Sequence, residues 1–479
     1  MFSTFTVGMK EVTTERRERR ALRSLFRGRL QRAEARARDL LGREPENASG
    51  WAALRGSLAA QGQPADAAAL RGALGDVSPR TSEVIDRVAG RRLSPRGLIF
   101  DPAERFQVRR MAEVLEEVPT PAALRSGENV LWYADRGGEL FERFPVLELD
   151  GAGAPSYPVR YLTPPKFVAA YRNAAVVGEG QVLTEQGEFI DEVLQRRPDK
   201  YQAQRTGDEL VFAPPEGARG QLSVKALESA AFLMAGPTDT SFGDWMSNFF
   251  PRLALYEAAG LDCPILLRWK PLPQVLPILE ALGFGRERLI FHTTDQISLL
   301  PKLFVPCWPS REKTAPMTGL AEIYRRASAP AGADRPLIYL DRRHLQTRPL
   351  SNEDEVCALF ASRGFEMVDP GALSFDEVRR LVAAPACVAG AYGSAFHNLL
   401  FSRIQPPSLV LMPAHLPHHL GEIGRWHTDR GARFAYVLGE PVAQPHHSHT
   451  PWTVSLDKVE RALDRMMEVI SSEATATAC

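Results

Sequence analysis

What this chain lacks narrows it first. Its five cysteines (Cys263, Cys307, Cys357, Cys387, Cys479) are scattered without paired spacing, and three fall in or beside apolar elements. A disulfide framework is excluded, and the cysteines read as small buried hydrophobes in a reducing compartment. No apolar run reaches the ~18 residues that a membrane span needs. Met1 to Arg20 also has no apolar core ahead of a cleavage site, so the expected location is cytoplasmic, with membrane contact at most peripheral, at the inner face. Excess charge is missing too: Lys+Arg and Asp+Glu both total 58, which removes any bulk attraction to nucleic acid. Finally, no Asp-X-Asp run is placed to anchor a metal diphosphate. His415, His418, His419, His427, His446, His447 and His449 sit in proline-bounded loops with no cysteine or carboxylate at ligand spacing, so no metal is expected.

Positive charge is nevertheless uneven. Residues 15–38 hold a dense arginine set, which reads as a solvated helix face, with contact to an anionic polymer or membrane as the alternative.

The most informative stretch is Val388-Ala-Gly-Ala-Tyr-Gly-Ser-Ala-Phe-His-Asn-Leu-Leu-Phe401. A short apolar strand, a glycine turn and an apolar helix start aim unpaired backbone N–H groups and a positive dipole end at one point, which suits an anion. Upstream, Leu337-Ile-Tyr-Leu-Asp-Arg-Arg-His344 is an apolar strand ending in two arginines. A capped helix from Ser351-Asn-Glu-Asp-Glu355 follows, then a strand at Phe365 to Val368 and a second capped helix at Leu373 to Val382. This alternation argues a parallel doubly wound sheet, whose ligands bind outside the carboxyl ends of the strands. Arg342, Arg343, Tyr392, Gly393, Ser394, His397 and Asn398 would line that edge. Guanidinium forks match phosphate oxygens. The alternatives are a surface arginine pair, a satisfied buried histidine at His397 and a core amide at Asn398. Glu353 could meet ribose hydroxyls or only complement its helix dipole.

The ordered pieces Ile338-Tyr-Leu-Asp-Arg-Arg, Asn352-Glu353, Gly364-Phe365, Leu373-Ser-Phe375 and Gly390 to Phe401 resemble glycosyltransferase family 61. So do Phe242-Gly-Asp-Trp-Met-Ser-Asn-Phe-Phe-Pro-Arg-Leu253 and Tyr171 to Val177 with Val182 to Gly187. The resemblance spans roughly residues 155–465. It implies two facing Rossmann-like lobes of the GT-B type and a nucleotide-sugar donor in the C-terminal lobe. It also implies an inverting transfer to a glycan or glycoconjugate hydroxyl, usually without metal, as in bacterial surface-polysaccharide proteins. Two positions depart from the family pattern, which often has histidine where this chain has Asp244 and Tyr392. Asp244, the one carboxylate in the first-lobe motif, is the candidate base; its alternative is a helix N-cap.

At the N-terminus, Trp51-Ala-Ala-Leu54, Gly62 and Ala67 follow Ala21, Gly28, Ala33 and Pro45 at about the 34-residue tetratricopeptide period. An ordinary helical hairpin is the alternative. The expected organisation is α/β: a tetratricopeptide-like helical segment (1–76), a linker and mixed lead-in (77–154), an acceptor-side Rossmann-like lobe with a strand-rich lead-in (155–310) and a nucleotide-sugar lobe with a C-terminal helix (311–479). Partners would be the donor, the acceptor and a second copy or another protein on the N-terminal helices. A non-catalytic scaffold retaining the transferase fold is the rival function.

Overall fold

Short, uniformly apolar strands suit a sheet covered on both faces, and two such sheets dominate the structure. A computed structural model describes residues 30–44, 50, 51, 53, 54, 58, 70, 105–143, 159–193, 204–206, 209–211, 223–236, 238–294, 296–307, 321–332, 334–416, 434–444 and 450–478. Among the described residues, the larger sheet has thirteen strands and is mixed. Its body comprises β1 (Val130–Asp135), β2 (Lys166–Val177), β3 (Ala231–Leu233), β4 (Ile265–Arg268), β5 (Leu289–His292) and β6 (Gln296–Pro306). Within it β5, β4, β3 and β6 are neighbours in that order and parallel. This 3-2-1-4 order is that of a Rossmann half, with its switch point between β3 and β6. β6 then pairs antiparallel with β2, from Ser298 opposite Val176 to Pro306 opposite Val168.

Part of the expected linker and mixed lead-in (77–154) belongs to this sheet. β1 pairs with β2, and a strand at Arg105–Arg109 joins the same sheet, because Val130, Leu131 and Trp132 are buried with its core. The helix expected from Trp245 to Ala259 is also broken. A short turn at Phe242–Asp244 leads into a wide π-helical turn at Trp245–Phe249, and the α-helix proper is Arg252–Ala258. Pro251, at the N-cap, has no N–H with which to continue the preceding ladder.

Among the described residues, the second sheet has six strands: β7 (Leu337–Leu340), β8 (Phe365–Val368), β9 (Cys387–Ala391), β10 (Ser408–Pro413), β11 (Phe434–Pro441) and the short β12 (Trp452–Thr453). Their order is β8-β7-β9-β10-β11-β12, parallel until β12. That is the 2-1-3-4-5 doubly wound order, whose switch point lies between β7 and β9. Alternate residues serve two cores. Tyr339, Ala389, Leu409 and Ala435 face the C-terminal helix (Leu456–Ala478) through Val459, Leu463 and Met466. Ile338, Val388, Val410 and Phe434 face a core that runs on through Phe396 and Tyr324 to Trp245, Phe249 and Phe232. The edge-to-face contact of Tyr324 and Phe401, at 5.3 Å between centroids, belongs to this shared core. The two sheets therefore share one apolar core.

Near the N-terminus, the helix Leu30–Arg43 buries Ala33, Ala37, Leu40 and Leu41, and Trp51, Leu54 and Leu58 are buried as well. Most of the expected repeat lies outside the described residues. No helix among the described residues is long and apolar enough to cross a membrane. Cys263, Cys307, Cys357 and Cys387 are free.

Candidate functional site

Because β7 and β9 are adjacent, the turns that leave them are adjacent too. Leu340 is in register with Gly390, so Asp341–Arg343 and Tyr392–Ser394 emerge side by side at the switch point. Arg342 is buried there. Its Nη2 donates to the Thr347 carbonyl at 3.0 Å, and its guanidinium fills the space where a Gly393 side chain would stand. A side chain at position 393 would have to displace that guanidinium.

Glu353 stands behind this turn. Its Oε1 accepts the Arg342 backbone N–H at 3.1 Å and the Tyr339 hydroxyl at 3.4 Å. Burial raises the Glu353 carboxyl pKa, and burial with the adjacent Glu353 raises the Tyr339 phenol much further. Arg342 is lowered, first by burial and then by the neighbouring charge of Arg348. The capping role expected around Ser351–Glu355 is not made by a side chain. Asn352 instead reaches across to Val454, donating from Nδ2 to its carbonyl at 2.8 Å and accepting its N–H at 3.2 Å. The second expected cap does form, between Ser374 and Glu377.

Arg343 takes a different course from Arg342. It is exposed and pairs with Asp341 at 2.7 Å and Asp354 at 3.0 Å. These partners raise Arg343, while hydrogen bonds from Arg343 lower Asp341. Arg348, which spacing did not single out, occupies the position beside Arg342 instead. Its guanidinium lies 5.1 Å over the Tyr392 ring, and its Nε is buried without a hydrogen-bond partner.

After Gly393 a 3-10 helix runs from Ser394 to Phe401. Two of the three polar candidates on it are buried, Ser394 being half-buried: His397 Nδ1 is 3.2 Å from the Ser394 carbonyl, and Asn398 Nδ2 donates to Ala395 at 2.9 Å.

The first sheet contributes the turn after β3. Ser241 is its N-cap and accepts the Asp244 N–H at 3.4 Å, so the capping alternative offered for Asp244 falls to Ser241. Asp244 is half-buried, and its Oδ1 accepts from Asn248 at 2.9 Å. A β-carbon on Gly243 would lie 3.3 Å from the Ser394 β-carbon and 3.8 Å from His397 Cε1. The turn that carries Asp244 therefore lies against the Ser394–His397 turn.

A buried charge group anchors that turn from behind. The Asp239 carbonyl accepts from Trp245 Nε1 at 2.7 Å, and the carboxylate forms an ion pair with Arg268, which also bonds Glu179 at 3.0 Å. Burial pushes Asp239 up to about 7 against the opposing pull of Arg268 and Arg252. No spacing could announce this group, since Asp239 follows β3, Arg268 ends β4 and Glu179 follows β2.

Asp341, Glu353 and Cys357 bring three potential ligand atoms within 4.8 Å of one another. However, the Asp341 oxygens accept from Arg343, Glu353 Oε1 accepts twice, and burial pushes the Cys357 thiol up to about 12. His415 follows β10 with neither ring nitrogen hydrogen-bonded, and the other six clustered histidines lie outside the described residues.

Residues 242–411 match the family model described as Glycosyltransferase 61, a span that opens on the turn carrying Asp244 and closes in β10. Comparison with curated proteins gives no match. Among solved structures, the bacterial iron-containing dodecameric glycosyltransferase TibC from enterotoxigenic E. coli H10407 aligns at 11% identity over 61% of this chain and 79% of that one, with a TM-score of 0.23. So weak a likeness carries no argument. The family match holds both turns of the candidate site within one span: residues 242–411 are a glycosyltransferase family 61 domain, and the protein is a glycosyltransferase.

Proposed function

We propose that this enzyme moves a sugar, with inversion, from a nucleotide donor to a hydroxyl of a glycan or glycoconjugate, in surface-polysaccharide or glycoconjugate synthesis. The two sheets act as the lobes of a GT-B arrangement. The observation that carries this reading is the meeting of two switch-point turns, with Gly243 of the first against Ser394 of the second. Each turn lies where an α/β sheet binds ligands, so donor and acceptor can meet there. On the donor side, Arg342 and the Gly393–Asn398 turn face the diphosphate, with Tyr392 beside them and Glu353 bracing the Arg342 backbone.

In the reaction, Asp244 takes the acceptor hydroxyl proton as the oxygen attacks the anomeric carbon. The bond from that carbon to the diphosphate oxygen breaks, and the leaving group departs with its electron pair. Arg342 and the start of the 3-10 helix offset the charge that develops on it. This charge balance requires no metal. The enzyme works in the cytoplasm, and its N-terminal helices recruit a second copy or another protein. The test is release of nucleoside diphosphate from a panel of nucleotide sugars, with and without glycan acceptors. Absence of turnover across a broad panel would sink the reading.

A further inference from the structure

Arg348 is held in an unfavourable way. Its φ is 54°, in the left-handed region, although it is neither glycine nor asparagine and precedes Pro349, which itself disfavours helical backbone. The surroundings enforce this. Trp452 Nε1 donates to the Arg348 carbonyl at 3.1 Å, the Trp452 N–H donates to Pro349 at 3.1 Å, and Ser351 donates to Trp452 at 2.7 Å. Backbone strain held by such contacts is a feature of ligand clamps.

The result of this arrangement is electrostatically incomplete. The side chain lies over Tyr392, its Nε is buried without a partner, and a second guanidinium, that of Arg342, lies close enough to be perturbed by it. Arg342 gives Nη2 to a neutral carbonyl, and Glu353 is spent on backbone and hydroxyl donors. Among the described residues, no salt bridge is made by either arginine. Two like charges brought together at a ligand edge call for a bridging anion.

We propose that Arg348, supported on the Tyr392 ring, is the second phosphate-binding arginine of this site, and that a diphosphate bridges Arg342 and Arg348 across the Gly393 turn. Arg343, one residue from Arg342, keeps its charge on Asp341 and Asp354 and is not part of the pair. The assignment rests on the donor reading above for its nucleotide, but the anion site stands on its own geometry.

Calorimetry on the full chain tests it, with pyrophosphate, a set of nucleoside diphosphates and the matching nucleosides as probes. Arg348→Gly removes the side chain while suiting the left-handed backbone, so the fold should survive. It should weaken diphosphate and pyrophosphate binding roughly 10- to 100-fold and leave nucleoside binding unchanged. Arg348→Lys should recover only part of the loss, because an ammonium lacks the planar fork. Arg343→Ala should shift diphosphate affinity by less than about threefold, since its charge is already spent on carboxylates. Diphosphate affinity retained in Arg348→Gly would overturn the assignment, as would equal losses for nucleoside and diphosphate, which mark a merely structural role. Should Arg348→Gly fail to fold, Arg348→Lys decides: unchanged diphosphate affinity there also overturns it. Wild-type binding of pyrophosphate but of no nucleoside diphosphate would keep the arginine pair and remove the nucleotide-sugar reading. Binding of neither would remove both.

Discussion

Gly243 and Ser394 stand at van der Waals limits across the site: a β-carbon on Gly243 would fall 3.3 Å from the Ser394 β-carbon. The two turns that carry the candidate chemistry are thus set against each other by a glycine. Replacing it with valine adds a branched side chain to a gap with no room for one. Gly243→Val should cost about 1–3 kcal/mol of stability through overpacking. It should also lower transfer at least tenfold while nucleotide affinity, which the proposal assigns to the second sheet, changes little; a tenfold change in rate is about 1.4 kcal/mol. Wild-type turnover in this variant, measured at saturating donor, would show that the contact is not part of the reaction geometry.

Asp244→Asn keeps the shape of the side chain and an oxygen for Asn248, so the turn should stand. Loss of the base should lower turnover ~10²–10⁴-fold, with the melting temperature and nucleotide affinity nearly unchanged. A near wild-type rate would return Asp244 to a structural role, and the base would have to be sought elsewhere on the first sheet.

Asp239 makes stability depend on pH in a definite direction. Its carboxyl titrates at about 7 in the folded protein against a reference value of 3.8. Between those values the folded state binds the extra proton, so this contribution is complete below pH ~4 and is lost as pH rises through ~7, by an amount on the order of a few kcal/mol. Denaturation of wild type and Asp239→Asn at pH 5 and pH 8 measures it. Wild type should lose more stability than the variant over that interval, and parallel losses would show that Asp239 does not titrate there.

If the proposed site meets the charge on the departing diphosphate with Arg342 and a helix start, turnover should survive a chelator. EDTA treatment followed by a diphosphate-release assay checks this. Full loss restored by Mn²⁺ or Mg²⁺ would turn attention to Asp341, Glu353 and Cys357, whose ligand atoms already lie within 4.8 Å of one another.

The sequence by itself determined the parallel character of the second sheet, the glycine turn after β9 and the arginine turn after β7. These are local: strands buried on both faces are apolar throughout, and a glycine in the turn leaves room for the guanidinium beside it. It also pointed to Asp244, through a motif on one continuous segment. Which arginine joins Arg342 was beyond it. Spacing favours the adjacent Arg343, yet Asp341 and Asp354 occupy that side chain, while Arg348 arrives through a left-handed turn pinned by Trp452, more than a hundred positions later in the chain. The Asp239–Arg268–Glu179 group and the fusion of β2 with β6 were equally hidden. Each depends on strand order, and strand order is decided when distant apolar faces find one another, a choice that no local pattern encodes.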